Sequence, residues 1–155
     1  MSKKPFVSKE KLDEIAAQYA TPFYLYDEAA IRETARRVNK AFAWNQGFKE
    51  YFAVKATPNP AILKILHEEG CGADCSSYTE LQMADAVGFK DDEIMFSSNA
   101  TPAEDFQLAR QLNVTINLDD ITHIDFLEKV ADIPDTVSCR SVSYTHLRAH
   151  ETTLH

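Results

Sequence analysis

Lys55 closes the run Tyr51-Phe52-Ala53-Val54-Lys55, and Thr57-Pro58-Asn59-Pro60 follows. The apolar run reads as a strand, Glu50–Val54, and the Thr-Pro-Asn-Pro stretch as the approach to a helix. Lysine is seldom placed at the inner end of a buried strand unless its amine has work to do. Partly stripped of water, such an amine titrates nearer neutrality and can form a Schiff base with an aldehyde. Strand alternation puts Ala53 on the same face as Lys55, and its small side chain leaves room for a flat ring. Other polar groups fall at the ends of later strand-like runs: Asp74 with Ser76 and Ser77, then Ser97-Ser98-Asn99, then Asp119, then Arg140. A cation, carboxylates and hydroxyls at one mouth would make a polar small-molecule site. Each also has a plain structural reading. Lys55 is then a solvated loop lysine or a cation paired to Asp74, and Asp74 a carboxylate facing a helix start. Asp119 is part of a helix cap, and Arg140 a surface residue at a strand exit.

The elements that must position these groups recur evenly. Strand-like runs occupy Glu50–Val54, Ala73–Ser76, Glu93–Phe96, Val114–Leu118 and Thr136–Arg140. Their starts lie about 22 residues apart with a helical stretch in each gap, the period of a βα unit. Asn59 with Pro60 marks one helix start. Ser77-Tyr78-Thr79-Glu80 and Thr101-Pro102-Ala103-Glu104 both fit a capping box, and Asp120 caps a helix from Ile121. Gly70 and Gly88 fall where helices should stop. Apolar stripes on the helices are Ile62, Ile65 and Leu66, then Leu81, Ala84 and Val87, then Phe106, Leu108, Ala109 and Leu112. Strands alternating with amphipathic helices imply a helix-covered parallel sheet. The compact period, with no Gly-rich turn after the first strand, favours a (β/α)8 barrel over a doubly wound sheet, with about five of its strands represented. Ahead of the repeat, Ser8 starts a helix over Lys9–Tyr19, and Asp27 caps a longer one through about Phe42. Between them Phe23–Tyr26 reads as a strand that breaks the period and would belong to a neighbouring sheet.

Bulk properties narrow the partners. A net charge of −8 over 155 residues, with a pI near 5.0, argues against nucleic acid or an anionic membrane as partner. No apolar run approaches a bilayer span, and Met1-Ser2-Lys3-Lys4-Pro5 leads into no signal-like segment. Three cysteines, Cys71, Cys75 and Cys139, suggest reduced thiols in a cytoplasm. Cys71 and Cys75 as metal ligands would need a second ligand pair, so they read better as small residues flanking a strand.

Taken in order, three motifs resemble the opening of the diaminopimelate decarboxylases. They are Thr21-Pro22-Phe23-Tyr24-Leu25-Tyr26-Asp27, Tyr51-Phe52-Ala53-Val54-Lys55-Ala56, and Gly72-Ala73-Asp74-Cys75-Ser76-Ser77 with Glu80-Leu81. Phe96-Ser97-Ser98-Asn99, Ile116-Asn117-Leu118-Asp119-Asp120 and Ser138-Cys139-Arg140 continue it. The lysine motif is shared by the wider barrel-type pyridoxal-phosphate decarboxylases, while the later motifs favour the diaminopimelate branch over ornithine, arginine and carboxynorspermidine decarboxylases. The resemblance implies a pyridoxal 5'-phosphate cofactor bound as a Schiff base to Lys55, with Ala53 beside it. Asp74 would help set the cofactor's protonation, and Arg140 would lie by its face. The reaction would turn meso-diaminopimelate into lysine and carbon dioxide, in a homodimer carrying a second, β-rich domain. A barrel that carries the cofactor without turnover is the non-catalytic alternative.

The same resemblance places the phosphate-binding glycine loop, the partner of the pyridine nitrogen and a ring-stacking histidine further along than this sequence reaches. The expectation is therefore an N-terminal fragment with little or no activity. Residues 1–27 would lead into the barrel, 28–140 would form its first part, and 141–155 would be a non-native tail. That tail holds His146, His150 and His155, three of the five histidines, and breaks the βα rhythm. His146 and His150 have the i, i+4 spacing of a metal site. However, Val142 to Thr152 reads as one frame of a sequencing-library transposon adapter, and such segments are set aside from fold reasoning.

Overall fold

The computed structural model describes residues 5–140. Met1 to Lys4, the tail over 141–155 and its histidine pair lie outside the described residues. Helix α1 spans Lys9–Gln18, started by Ser8, whose Oγ accepts from the Lys11 N–H at 3.2 Å. Helix α2 spans Glu28–Ala41, started by Asp27, whose carboxylate accepts from the Ala30 N–H at 3.0 Å. Both starts are as the sequence indicates, because a short acceptor side chain satisfies a free N–H of the first turn. Phe23–Tyr26 between them is not a strand. A strand exists only against a hydrogen-bonding neighbour, and among the described residues none lies beside this segment; Tyr24 and Tyr26 are exposed.

Five parallel strands follow: β1 (Tyr51–Ala53), β2 (Gly72–Cys75), β3 (Ile94–Phe96), β4 (Thr115–Leu118) and β5 (Ser138–Cys139). Helices α3 (Pro60–Glu68), α4 (Tyr78–Val87), α5 (Ala103–Gln111) and α6 (Thr122–Ala131) alternate with them. The strands lie side by side in sequence order, β1-β2-β3-β4-β5. A doubly wound sheet reverses its order at a switch point, whereas a barrel winds in one direction. The architecture is thus α/β, part of a (β/α)8 barrel, as expected.

The helices cover one face of the sheet. From that face Ala73, Cys75, Ile94, Phe96, Ile116 and Leu118 meet Leu63, Leu81, Ala84, Phe106, Ala109 and Leu127 in a continuous core. Leu63, fully buried, stands outside the apolar stripe read from the sequence, which included the less buried Ile65. Phe106 sits at the centre, with the rings of Phe96, Phe126 and His123 around it at 5.9–6.1 Å between centroids. Burial of this apolar area is the main stabilising term. Helix α2 packs on α3, where Arg32 bridges Glu28, Glu68 and Glu69, and Arg36 pairs with Glu69 at 2.6 Å.

Three caps differ from expectation. Glu80 reaches past Ser77 to the Ser76 N–H at 2.7 Å, while Ser77 Oγ takes the Glu80 N–H at 3.4 Å. Thr101 does not cap α5: Pro102 fills the cap position, and Thr101, one residue too early, leaves its hydroxyl buried without a partner. Asp120 accepts from the Thr122 N–H at 2.8 Å, so α6 begins one residue later than Ile121. Gly70 and Gly88 take positive φ of 80° and 115° at helix ends, which side chains disfavour.

Candidate functional site

Strand β1 ends at Ala53, and Val54–Ala56 wind into a 3-10 turn closed by the Thr57 N–H on the Val54 carbonyl at 3.1 Å. Lys55 therefore sits on a turn past the strand and not within it, and its side chain is exposed. The alternation argument that put Ala53 and Lys55 on one face does not apply, because the ladder stops before Lys55. Val54, pinned into the core at 0% exposure, fixes the turn instead. Lys55 still lies at the C-terminal end of β1, and the turn packs on β2.

The strand register defines which side chains share the inner face of the sheet. Ala53 pairs with Asp74, Asp74 with Met95, Met95 with Thr115, and Asn117 with Ser138. Paired residues on neighbouring strands point the same way, so Ala53, Asp74, Met95 and Thr115 form one row, and Asn117 with Ser138 part of the next, at the face away from the helices. Together these residues are largely polar and half-buried. Two hydrogen bonds cross between strands on this face: Ser97 Oγ donates to Asp74 Oδ1, and Ser138 Oγ donates to Asn117 Oδ1 at 2.8 Å. Among the described residues Lys55 forms no ion pair, so Asp74 is engaged with Ser97 and not with the lysine.

Ala53, Lys55 and Asp74 come together at the ends of β1 and β2. Arg140 lies just past β5, where its N–H extends the ladder onto the Leu118 carbonyl at 2.8 Å, and its side chain is exposed. It is at the same end of the sheet, four strands from Lys55. Asp119 turns the other way, toward α6, with its Oδ1 3.6 Å from His123 Nδ1; both atoms are buried without a hydrogen-bond partner. It neither caps the helix nor faces Lys55. Sequence reasoning missed the Asp74–Ser97 bond and the Asn117–Ser138 bond. Only register brings those residues side by side, and nothing in local composition marks it.

Cys71 and Cys75 are both buried, and Cys71 belongs to a smaller cluster with Ala35, Ile62 and Leu66. Burial pushes the Cys75 thiol up to about 12, so it stays protonated and behaves as a small apolar side chain. A cavity of about 490 Å³ lies elsewhere, beside β1 between α2 and α3, walled by Ile31, Ala35, Val38, Phe52 and Ile62. Its apolar lining has no amine. The chemistry therefore belongs to the strand ends: an accessible primary amine, a methyl-sized neighbour and an oriented carboxylate. That donor set fits an aldehyde bearing a flat ring.

Comparisons with known proteins bear on this site. A family described as the pyridoxal-dependent decarboxylase, pyridoxal binding domain, matches residues 28–152. The protein TabA of Pseudomonas amygdali pv. tabaci is 46% identical over 129 residues, which cover 83% of this chain and 30% of that protein. The diaminopimelate decarboxylase of Methanothermobacter thermautotrophicus is 37% identical over 119 residues, 76% of this chain and 28% of the relative. In fold, a crystal structure of lysine decarboxylase from Selenomonas ruminantium superposes with a TM-score of 0.80 at 22% identity, over 94% of this chain and 38% of that one. The chain thus spans about 30% of the length of the curated relatives it matches. Lys55, Ala53 and Asp74 all fall inside the matched region, and by that match the chain belongs to the pyridoxal-dependent decarboxylases, whose pyridoxal-binding domain it carries in part.

Proposed function

We propose that this chain is the N-terminal part of a decarboxylase that converts meso-diaminopimelate to lysine and carbon dioxide. The observation that carries the proposal is the accessible amine of Lys55 at the end of β1, beside the Ala53–Asp74 pair. The named diaminopimelate decarboxylase among the relatives supports the choice of substrate. Pyridoxal phosphate, when bound, supplies an aldehyde to be captured and an electron sink for the bond to the departing carboxylate.

The chain's own residues would act as follows. Lys55 offers the amine that holds the aldehyde, and as a free amine afterwards it can carry a proton at Nζ. Ala53 leaves space for the ring. Asp74 holds negative charge at the mouth, oriented by Ser97. Arg140, at the same end of the sheet, would lie by the cofactor's face. Three free thiols and an acidic chain accord with a cytoplasmic site of action, and a homodimer with a β-rich second domain is part of the same proposal.

The proposal also takes residues 1–27 as the lead into the barrel and 141–155 as adapter-derived sequence, with little or no turnover in residues 1–155 alone. The family match runs past Arg140 to residue 152, so sequencing the source DNA beyond the Arg140 codon separates a native continuation from the adapter. The reading frame completed in that way is the material for the functional test. It should release carbon dioxide from meso-diaminopimelate in preference to ornithine or arginine, and Lys55→Met should abolish the reaction. Full turnover by the Lys55→Met protein would sink the proposal. Preference for ornithine or arginine would move the enzyme to another branch of the family, and capture of the cofactor without turnover would make it a carrier.

A further inference from the structure

We propose that Ser97 is a positioning residue: its hydroxyl draws the Asp74 carboxylate toward β3 and keeps it off the amine of Lys55. The inference rests on the reading of Lys55 as the aldehyde-binding amine. Asp74 is the ladder partner of Ala53, and Lys55 stands two residues beyond Ala53 on a turn packed against β2. A carboxylate at that place has two directions open to it, toward the turn that carries Lys55 and toward the Ser97 hydroxyl just past β3. It takes Ser97, with Oδ1 as acceptor.

The choice has a chemical consequence. Only a neutral amine attacks an aldehyde, and a carboxylate held against an ammonium favours the charged form. A hydroxyl donor to Asp74 satisfies one oxygen and fixes the group's rotation, which leaves the amine free of a close ion pair. Ser97 is well placed to do this because its own backbone is fixed. Its N–H donates to the Cys75 carbonyl at 2.8 Å, and its neighbours Phe96 and Ser98 are buried at 1% and 8% exposure. The hydroxyl has no other side-chain partner among the described residues, so its contact with Asp74 is its specific role.

The test follows capture of pyridoxal phosphate by the protein of the completed reading frame at fixed pH, with borohydride used to fix the pyridoxyl group and peptide mapping to read its rate of appearance on Lys55. Ser97→Ala should slow that rate about five-fold, the scale of a coupling between neighbouring groups. Combined with Asp74→Asn, Ser97→Ala should have no further effect, because the freed carboxylate is then absent. Ser97→Thr and Ser97→Val have nearly the same shape and differ in the hydroxyl, so Thr should keep the wild-type rate and Val should match Ala. That pair serves even where Ala destabilises the strand end. An unchanged rate in Ser97→Ala, or the same slowing with Asn at position 74, overturns the inference. A wild-type chain that takes label at other lysines but none at Lys55 overturns the reading of Lys55 itself, and the inference with it.

Discussion

On its helix-covered face the sheet presents Ala73, Cys75, Ile94, Phe96, Ile116 and Leu118, each at most 5% exposed. On the opposite face the same strands present Ala53, Asp74, Met95, Thr115, Asn117 and Ser138, all half-buried. The first set is interchangeable in principle: apolar groups need volume and contact, and the energy scales with area removed from water. The second set is not. Asp74 and Ser97, or Asn117 and Ser138, are useful only because one register places them within hydrogen-bond reach. A shift by one residue would send every one of these side chains into the helical layer. The difference teaches that stability and chemistry are carried by alternate residues of one strand, so they can be disturbed separately.

The strongest way to break that separation is at the centre of the helical layer. Phe106, 1% exposed and ringed by three aromatic neighbours, should cost about 3–5 kcal/mol when changed to alanine, measured by urea unfolding. The folded fraction of the variant should still capture an aldehyde at Lys55. Loss of capture in the folded fraction would mean that the two faces are coupled.

A smaller effect is expected where the inner face is most crowded. A Cβ on Gly72 would lie 2.6 Å from the Tyr51 ring and 2.7 Å from the Glu93 carbonyl oxygen. The ring can turn aside but the carbonyl belongs to backbone, so β2 itself must shift. Gly72→Ala should cost about 1–3 kcal/mol by the same measurement. Since Gly72 and Asp74 are on one strand, it should also slow capture at Lys55, unlike Phe106→Ala. Equal capture rates in the two variants would remove the distinction between the faces.

The separation also explains what was legible in the sequence. The outer face was, since Leu81, Ala84, Phe106 and Ala109 announce themselves by helical spacing, and the strands holding Ile94, Phe96, Ile116 and Leu118 by their even period. Starts set by one short side chain were legible too, as at Ser8, Asp27 and Asn59. What failed required knowledge of neighbours. Phe23–Tyr26 has strand-like composition, but the sheet expected to receive it lies outside this chain, and among the described residues it pairs with nothing. Lys55 looked like the last residue of a strand because nothing local says that the ladder ends at Ala53. Thr101 and Glu104 match a capping pattern whose register is displaced by Pro102. The Lys55 and Asp74 positions were readable as motifs, while the contact that organises them, through Ser97, depends on a pairing between distant segments.

The mildest test compares two carboxylates of the helical layer that should respond oppositely to acid. Glu69 is held below its ordinary value of 4.5, chiefly by hydrogen bonds from Arg36 and then from Arg32, with burial working against them. Asp105 is pushed above its ordinary 3.8 by burial, opposed by a hydrogen bond from the Tyr78 backbone. For Glu69 the unfolded chain binds the proton more readily, so its contribution is fully present above pH 4.5 and is lost as pH falls through the lower folded value. For Asp105 the folded chain binds the proton more readily, so stability gains as pH falls toward 3.8 from above. Urea midpoints measured against pH at constant ionic strength should therefore move apart. Glu69→Gln should lose its disadvantage relative to wild type on acidification. Asp105→Asn should be at its best relative to wild type near neutrality, and its advantage should shrink toward pH 4. Both effects should be modest, because Glu69 is paired to the largely exposed Arg36 and Asp105 retains a donor. Parallel curves for wild type and both variants would mean that neither carboxylate feels its folded surroundings, and that the α2–α3 ion cluster is a surface feature without weight in the fold.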